Sequence, residues 1–162
     1  DSSTSRGLGD VYKRQLQSPG TFAFVNEYAH TYRVIPTDGS PHIHDSLRLL
    51  GGDSRGRWEG KTLVVATKNL TDKTWLDIRG SFHSEQLTVV ERFTMVDADT
   101  ILYEATLTDP KVYTRPFTMA MPLVRMEPGH EVMEEACYEG DQDLPGMMRA
   151  GYKIYFGMPS PR

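Results

Sequence analysis

Apolar and polar positions alternate along most of this chain, and the alternation predicts short β-strands. The clearest case runs from Gln86 to Val96, where Val89, Phe93 and Met95 share one parity and polar residues occupy most of the other. A period of two is typical of a strand that buries one face. Turn-forming residues separate the predicted strands and no helices alternate with them, which favours antiparallel pairing over a parallel sheet.

The remaining strands are predicted from shorter patterns of the same kind. A hairpin is expected at Glu59-Gly60, because glycine accepts the positive φ that two-residue turns require. Pro122 would remove a hydrogen bond from a central strand, which places its strand at a sheet edge or at a bulge. Further strands are predicted at 21–35, 101–108, 117–125 and 131–138.

Together these elements predict an all-β domain. A curved meander of about six or seven strands has to close or be covered in order to hide its edges. We expect an antiparallel lipocalin-like barrel or a strongly curved sheet over residues 16–140, with a β-sandwich as second choice. Residues 141–162 are expected to form a partly disordered extension, in which 145–156 is compatible with a short helix.

Residues 1–15 differ from the rest of the chain. They read DSSTSRGLGDVYKRQ, with little hydrophobic periodicity and many Ser, Thr and Gly residues. Such segments are commonly floppy chain ends. The string also resembles the conceptual translation of a sequencing-library adapter. Because assembly scars are excluded from fold reasoning, we treat residues 1–15 as non-native or disordered and expect the natural N-terminus to be missing.

Composition narrows the classes of function. The 162 residues carry 18 basic and 22 acidic side chains, a formal net charge of -4. A nucleic-acid-binding domain normally has a basic footprint, so no nucleic-acid partner is predicted. The lone cysteine, Cys137, excludes an intrachain disulfide and a cysteine-rich zinc site. No apolar run approaches the roughly 20 residues of a membrane helix, so no membrane span is predicted.

One acidic residue falls on an apolar strand face. Glu91 shares the parity of buried-type residues, and a carboxylate inside a core is costly unless it is paired. A turn at 97–100 would place Glu91 opposite Thr106, with Glu104 and Arg92 in the same neighbourhood. Neighbouring carboxylates are typical of general acid–base catalysis, so Glu91 and Glu104 are catalytic candidates. The alternative is a structural ion-pair network.

The sequence His42-Ile43-His44-Asp45 has the spacing of a metal-binding segment. Two imidazoles two residues apart on an extended chain point to the same side, and Asp45 adds an oxygen ligand. No third histidine is placed by spacing, however, and exposed or capping loop histidines are the commoner case. No metal site and no cofactor are predicted, and His42 is kept as a third catalytic candidate.

Several polar and aromatic residues are candidates for ligand binding. Arginines in a glycine-flanked loop can grip a carboxylate or phosphate, although they more often pin a loop to a sheet. Aromatic side chains suit the stacking of a sugar or another flat ligand, although in a β-domain they are more often core. The expected site, at the open end of the barrel, comprises His42, Asp53, Arg55, Trp75, Arg92 and Tyr113.

Four blocks of the chain carry a resemblance. QSPGTFAFVNEYAHTYRVIPTDGSPH, GDSRGRWEGKTLVVATKNLTDKT, VVERFTMVDADTILYEATLTDPKVYTRPFT and EEACYEGD resemble the C-terminal half of a family of secreted bacterial proteins for which no activity is established. The resemblance implies a longer parent protein with an export signal and an upstream β-rich portion. It therefore implies a periplasmic or extracellular location.

The chain departs from the family pattern at a few positions. Ser40 stands where arginine is usual, Lys61 where aspartate is usual, and Tyr138 replaces a histidine. Any ligand or general-base role of that histidine would be lost here.

Three hypotheses of function follow. The first is a module that binds a small molecule or a glycan. The second is an enzyme that uses Glu91 and Glu104, or His42, as acid–base residues. The third is a structural or interaction domain that packs on the missing upstream portion of its own parent chain. An apolar face left exposed on the domain would favour the third hypothesis.

Overall fold

The computed structural model describes residues 13–26, 31–77, 80–129, 146 and 148–151, and the structural statements below refer to these residues. They form two antiparallel sheets and one helical turn, in which the Ala150 amide donates to the Gly146 carbonyl oxygen. The all-β antiparallel prediction is confirmed. The strands are β1 (Lys13–Ser18), β2 (Thr21–Asn26), β3 (Tyr32–Pro36), β4 (Asp53–Glu59), β5 (Thr62–Lys68), β6 (Thr88–Met95), β7 (Thr100–Thr108) and β8 (Phe117–Val124).

Within each sheet, every strand pairs with the one that follows it in the chain, as in a meander. The smaller sheet has the order β1-β2-β3 and the larger sheet the order β4-β5-β6-β7-β8, and all pairings are antiparallel. No hydrogen-bonded ladder joins the two sheets within the described residues. A closed barrel is therefore not formed there, and the curved-sheet form of the prediction fits the arrangement.

The hairpin between β4 and β5 forms close to its predicted position. Glu59 pairs with Thr62, so the two central residues are Gly60 and Lys61, one residue later than expected. Gly60 has φ +59, a left-handed conformation that a residue with a Cβ atom rarely adopts. The glycine thus fixes the turn, and the turn fixes the register of both strands.

The core lies between the two sheets, which face each other. The Phe24 and Phe93 rings, one from each sheet, lie 4.9 Å apart between centroids. A second, smaller cluster around Leu87, Ala105 and Leu107 lies on the larger sheet. The buried residues of the main cluster are Phe22, Phe24 and Ile35 from the smaller sheet and Leu63, Val65, Phe93, Ile101 and Leu123 from the larger one.

Gly56 of β4 packs closely against the end of the smaller sheet. A Cβ atom at this position would lie 2.9 Å from Cγ2 of Ile35 and 2.9 Å from Cγ2 of Thr37. Only a residue without a side chain lets β4 and the segment 35–37 pack this closely.

We expect Gly56→Ala to lower the free energy of unfolding by about 1–3 kcal/mol, because the added methyl group overpacks the contact. Urea unfolding followed by circular dichroism measures the change. Gly51→Ala is the matched control, since a Cβ there meets no atom within 4 Å. Equal stability of the two variants would contradict the close approach.

The β6–β7 hairpin corrects one expectation. Glu91 lies opposite Ala105 and not Thr106. Pairing continues one residue further into the turn than expected, because the Val96 amide donates to the Thr100 carbonyl oxygen at 2.9 Å. A one-residue shift of register moves the partner strand's side chains to the opposite face of the sheet.

The predictions for the edges of the fold have mixed outcomes. Pro122 lies in β8, which is the last strand of the larger sheet among the described residues, and this fits the predicted edge position. β1 begins at Lys13, inside the segment 1–15, whose origin stays a prediction. The predicted strand 131–138, with Cys137, lies outside the described residues. No helix in the described part of the chain is long and apolar enough to cross a membrane.

Candidate functional site

Three connections meet at one end of the larger sheet, here called the loop end. Because neighbouring strands are antiparallel, β4, β6 and β8 begin at this end, and β5 and β7 finish there. The connections 37–52, 69–87 and 109–116 therefore share it. All the predicted ligand-binding residues except Arg92 belong to these connections or to the first three residues of β4.

His42, Asp53 and Arg55 are in direct contact. The buried Asp53 carboxylate accepts hydrogen bonds from the Arg55 guanidinium (2.6 Å) and the Ile43 amide (3.2 Å), and its Oδ2 lies 2.7 Å from Nδ1 of His42. Arg55 also donates through Nε to the Pro41 carbonyl oxygen at 2.9 Å. Asp53 therefore ties the connection 37–52 to the start of β4, and the arginine serves mainly as a loop pin.

The aspartate also orients the His42 imidazole. The Nε2 atom of His42 makes no hydrogen bond within the described residues. His44 instead turns its Nδ1 to the Ser46 hydroxyl at 2.8 Å, and Asp45 pairs with Lys68 at 2.8 Å. The described residues contain no group of three or more His, Cys, Asp or Glu side chains arranged to hold a metal ion.

Glu91 lies between the two sheets, where its charge is fully matched. Arg33 of the smaller sheet donates to both carboxylate oxygens, at 2.8 and 3.1 Å, and the Tyr103 hydroxyl donates to Oε1 at 3.0 Å. The guanidinium also lies 5.3 Å from the centroid of the Phe24 ring. Burial and the Glu91 charge both raise the pKa of the Tyr103 phenol, which stays a neutral donor. The cluster ties one sheet to the other.

The predicted pair of carboxylates is not formed. Glu104 pairs in register with Arg92, whose parity is opposite to that of Glu91, so the two glutamates lie on opposite faces of the sheet. The cause is the one-residue difference in the β6–β7 register. Arg92 itself binds Glu59 at 3.0 Å in mid-sheet, away from the loop end. The structure therefore does not bring Arg92 together with His42.

Four aromatic residues come together at the loop end, and we call them the aromatic platform: Trp75, Phe82, Tyr113 and Phe117. Trp75 and Phe82 are backbone partners in an isolated antiparallel bridge, and their side chains remain 71% and 65% exposed. The Tyr113 hydroxyl donates to the Phe82 carbonyl oxygen at 3.2 Å. The Tyr113 ring meets Phe117 edge to face at 5.0 Å. Two of the predicted binding residues, Trp75 and Tyr113, are thus joined through Phe82.

A buried aspartate joins the two connections that carry the platform. Asp109 accepts hydrogen bonds from the Ser84 amide (2.6 Å), the Ser84 hydroxyl (2.7 Å) and the Lys111 amide (3.1 Å). Burial opposes ionisation of this carboxyl, but the bonds from Ser84 and Lys111 outweigh burial and hold its pKa below the usual value. The Tyr113 amide donates to the Asp109 carbonyl oxygen at 2.8 Å.

Three of these residues were missed from the sequence. Arg33 has the parity of buried Ile35 in β3. This parity predicts that the arginine points inward, where it could pair with the inward Glu91. Asp109 directly follows the predicted strand 101–108, and no pattern in the sequence marks it as a buried hydrogen-bond acceptor. Phe82 lies in a polar connection without periodicity, and no local signal marks it.

Comparison of the chain with models of protein families, with curated proteins and with solved structures found no match. Function therefore has to follow from side-chain geometry. The Glu91 cluster is internally satisfied, and Asp53 is engaged by its own loop. The aromatic platform differs from both, because its largest side chains face solvent.

Proposed function

We propose that this domain binds a carbohydrate at the aromatic platform. The observation that carries the proposal is the pair Trp75 and Phe82, whose backbones are bridge partners and whose side chains are largely exposed. Binding sites for uncharged polar molecules commonly combine aromatic surface with a few placed polar groups. A pyranose ring offers an apolar face of C–H groups and a rim of hydroxyls, which suits such a surface.

The backbone beside the exposed rings is hydrogen-bonded on both sides of the bridge. The Leu76 amide donates to the Ser81 carbonyl oxygen at 2.7 Å, beside the Trp75–Phe82 bridge. Asp77 accepts from the Ser81 amide and hydroxyl, at 3.1 and 2.8 Å. A surface that is ordered before binding loses little conformational entropy when the ligand arrives. This preorganisation supports a rigid ligand such as a sugar chain.

The position of the platform also supports the proposal. The buried His83 ring contacts the Thr74 hydroxyl at 2.8 Å through Nε2, and these two residues are the sequence neighbours of Phe82 and Trp75. A core role for Trp75 and Phe82 is contradicted by their exposure in the described structure.

Replacing the exposed pair tests the proposed function. We expect the double variant Trp75→Ala/Phe82→Ala to weaken binding of any captured glycan by about thirtyfold or more. Aromatic side chains that a ligand covers contribute most of the binding energy in such contacts. A glycan array of neutral and acidic oligosaccharides identifies the ligand, and isothermal titration calorimetry measures its affinity. The thermal midpoint of each variant is measured in parallel.

Tyr32→Ala is the matched control for this experiment. Tyr32 is 75% exposed but lies on β3 of the smaller sheet, so its removal should leave glycan affinity unchanged. The proposal fails if the array captures nothing, or if the double variant binds as tightly as the natural sequence.

A further inference from the structure

We infer that the glycan bound at the platform is acidic, with carboxylate or sulfate groups along the chain. This inference rests on the proposed function and names its ligand class. It is carried by the distribution of unpaired positive charge at the loop end.

Most basic side chains on the strands are matched by a carboxylate. Arg33 pairs with Glu91, and Arg57 and Arg92 share Glu59. On β4 and β5, Arg55 pairs with Asp53 and Lys68 with Asp45. Outside the strands, Arg48 pairs with Glu85 and Arg125 with Asp99.

The connections that carry the platform break this pattern. Lys73 lies two residues before Trp75, and Lys111 and Arg115 lie two residues on either side of Tyr113. All three side chains are exposed, and none is in an ion pair within the described part of the chain. They are cations without an ion-pair partner among the described residues, and they lie within two residues of Trp75 or Tyr113 in the sequence.

The acidic residues of the same connections do not neutralise these cations. Asp109 is buried and engaged by Ser84. Asp77 is bonded to Ser81, and Glu85 is paired with Arg48. Asp72 is the exposed carboxylate of these connections that has no ion pair among the described residues. Unengaged cations therefore outnumber unengaged carboxylates beside the platform.

Local charge decides which glycans can approach. The chain has a net charge of -4, which disfavours anions in general, but at physiological salt charges beyond about 8 Å are largely screened. An anionic group at the platform therefore responds mainly to Lys73, Lys111 and Arg115. A guanidinium can hold a carboxylate or a sulfate through two parallel hydrogen bonds, which makes Arg115 the best-suited of the three.

The glycan array tests the ligand class directly. It presents neutral chains (β-glucan, xylan and chitin oligomers), uronate chains (polygalacturonate and alginate) and sulfated chains (heparan and chondroitin sulfates). We expect capture of uronate or sulfated chains, with the two arms distinguishing carboxylate from sulfate. Capture should weaken by about tenfold or more when NaCl is raised from 50 to 500 mM, as screening predicts.

Charge variants separate this inference from the proposed function. We expect Lys111→Ala/Arg115→Ala to weaken binding of the captured acidic oligomer by about tenfold, while leaving its methyl-esterified or desulfated form unaffected. Lys61→Ala is the matched control, because Lys61 is an exposed lysine in the β4–β5 turn at the opposite end of the sheet and has no ion pair among the described residues. It should change neither affinity.

The possible failures are distinguishable. If neutral chains alone are captured and Trp75→Ala/Phe82→Ala abolishes their binding, the platform binds a glycan and the inference of acidity is overturned. If acidic chains bind but Lys61→Ala weakens them as much as the double charge variant does, the attraction is non-specific and the inference is also overturned. If no chain is captured, both proposals fall.

Discussion

Glu91→Ala is expected to lower the free energy of unfolding by about 3 kcal/mol. The variant leaves the Arg33 guanidinium without its counter-charge and the Tyr103 hydroxyl without its acceptor. Loss of one partner from a buried ion pair typically costs about 3–5 kcal/mol. The Arg33 side chain keeps 32% exposure, so water compensates part of the loss and the low end of that range applies.

Urea unfolding at pH 7, followed by circular dichroism, measures this loss. Glu104→Ala is the matched control: the same residue type on the neighbouring strand, on the opposite face, with no ion pair within the described residues. Its effect should stay within about 0.5 kcal/mol, as for most surface substitutions. Comparable losses in the two variants would contradict the role of Glu91 as a tie between the sheets.

A paired replacement separates the charge from the contact. In Arg33→Met/Glu91→Leu, neither charge is left alone, and apolar side chains of similar size fill the space. Buried ion pairs are often replaced in this way with little loss of stability. We expect the double variant to be more stable than Glu91→Ala, although it still leaves the Tyr103 hydroxyl without an acceptor.

The strands of the larger sheet were largely predictable because each is encoded locally, whereas β1 was not predicted and β2 and β3 were predicted as a single strand at 21–35. Alternation and turn chemistry lie within a few residues, and β6, β7 and β8 form where the pattern placed them. Register was less predictable, since it depends on how far pairing continues into a turn. A difference of one residue at Val96 separated Glu91 from Glu104 and removed the predicted catalytic pair.

The site was predictable only where its parts are close in sequence. His42 and Asp53 were proposed together and are in contact. Arg33 meets Glu91 from 58 residues away and from the other sheet, a contact that depends on how the sheets pack. Parity indicated that both charges point inward, but nothing in a single strand indicates which inward charge it will face.

Asp109→Ala is expected to lower the free energy of unfolding by about 2–4 kcal/mol. The carboxylate receives three hydrogen bonds in a site that is 1% exposed, and bonds to a charged acceptor contribute about 1.5–3 kcal/mol each before the variant relaxes. Without it, the Ser84 and Lys111 amides lose their acceptor. Chemical unfolding at pH 7 measures the loss, and Asp72→Asn, an exposed aspartate, should change stability by less than about 0.5 kcal/mol.

The same carboxylate gives a pH dependence with a defined sign. Its pKa is lowered in the folded state, so the unfolded chain binds the proton more readily, and folding is favoured wherever Asp109 is ionised in both states. The contribution of Asp109 to the free energy of unfolding is complete above the pKa of an aspartate in the unfolded chain, about 3.9. It declines as the pH falls from that value through the lower folded pKa.

Unfolding measured between pH 6 and pH 2.5 therefore distinguishes three variants. The natural sequence should lose stability steeply below about pH 4, whereas Asp109→Ala should lose less over the same interval because its contribution is already absent. Asp109→Asn keeps one carbonyl acceptor for Ser84 but cannot titrate. Its stability should therefore be intermediate, and its loss of stability below about pH 4 should be as small as that of Asp109→Ala. If the free energies of unfolding of all three proteins fall in parallel below pH 4, Asp109 is not the group whose protonation destabilises the fold in acid.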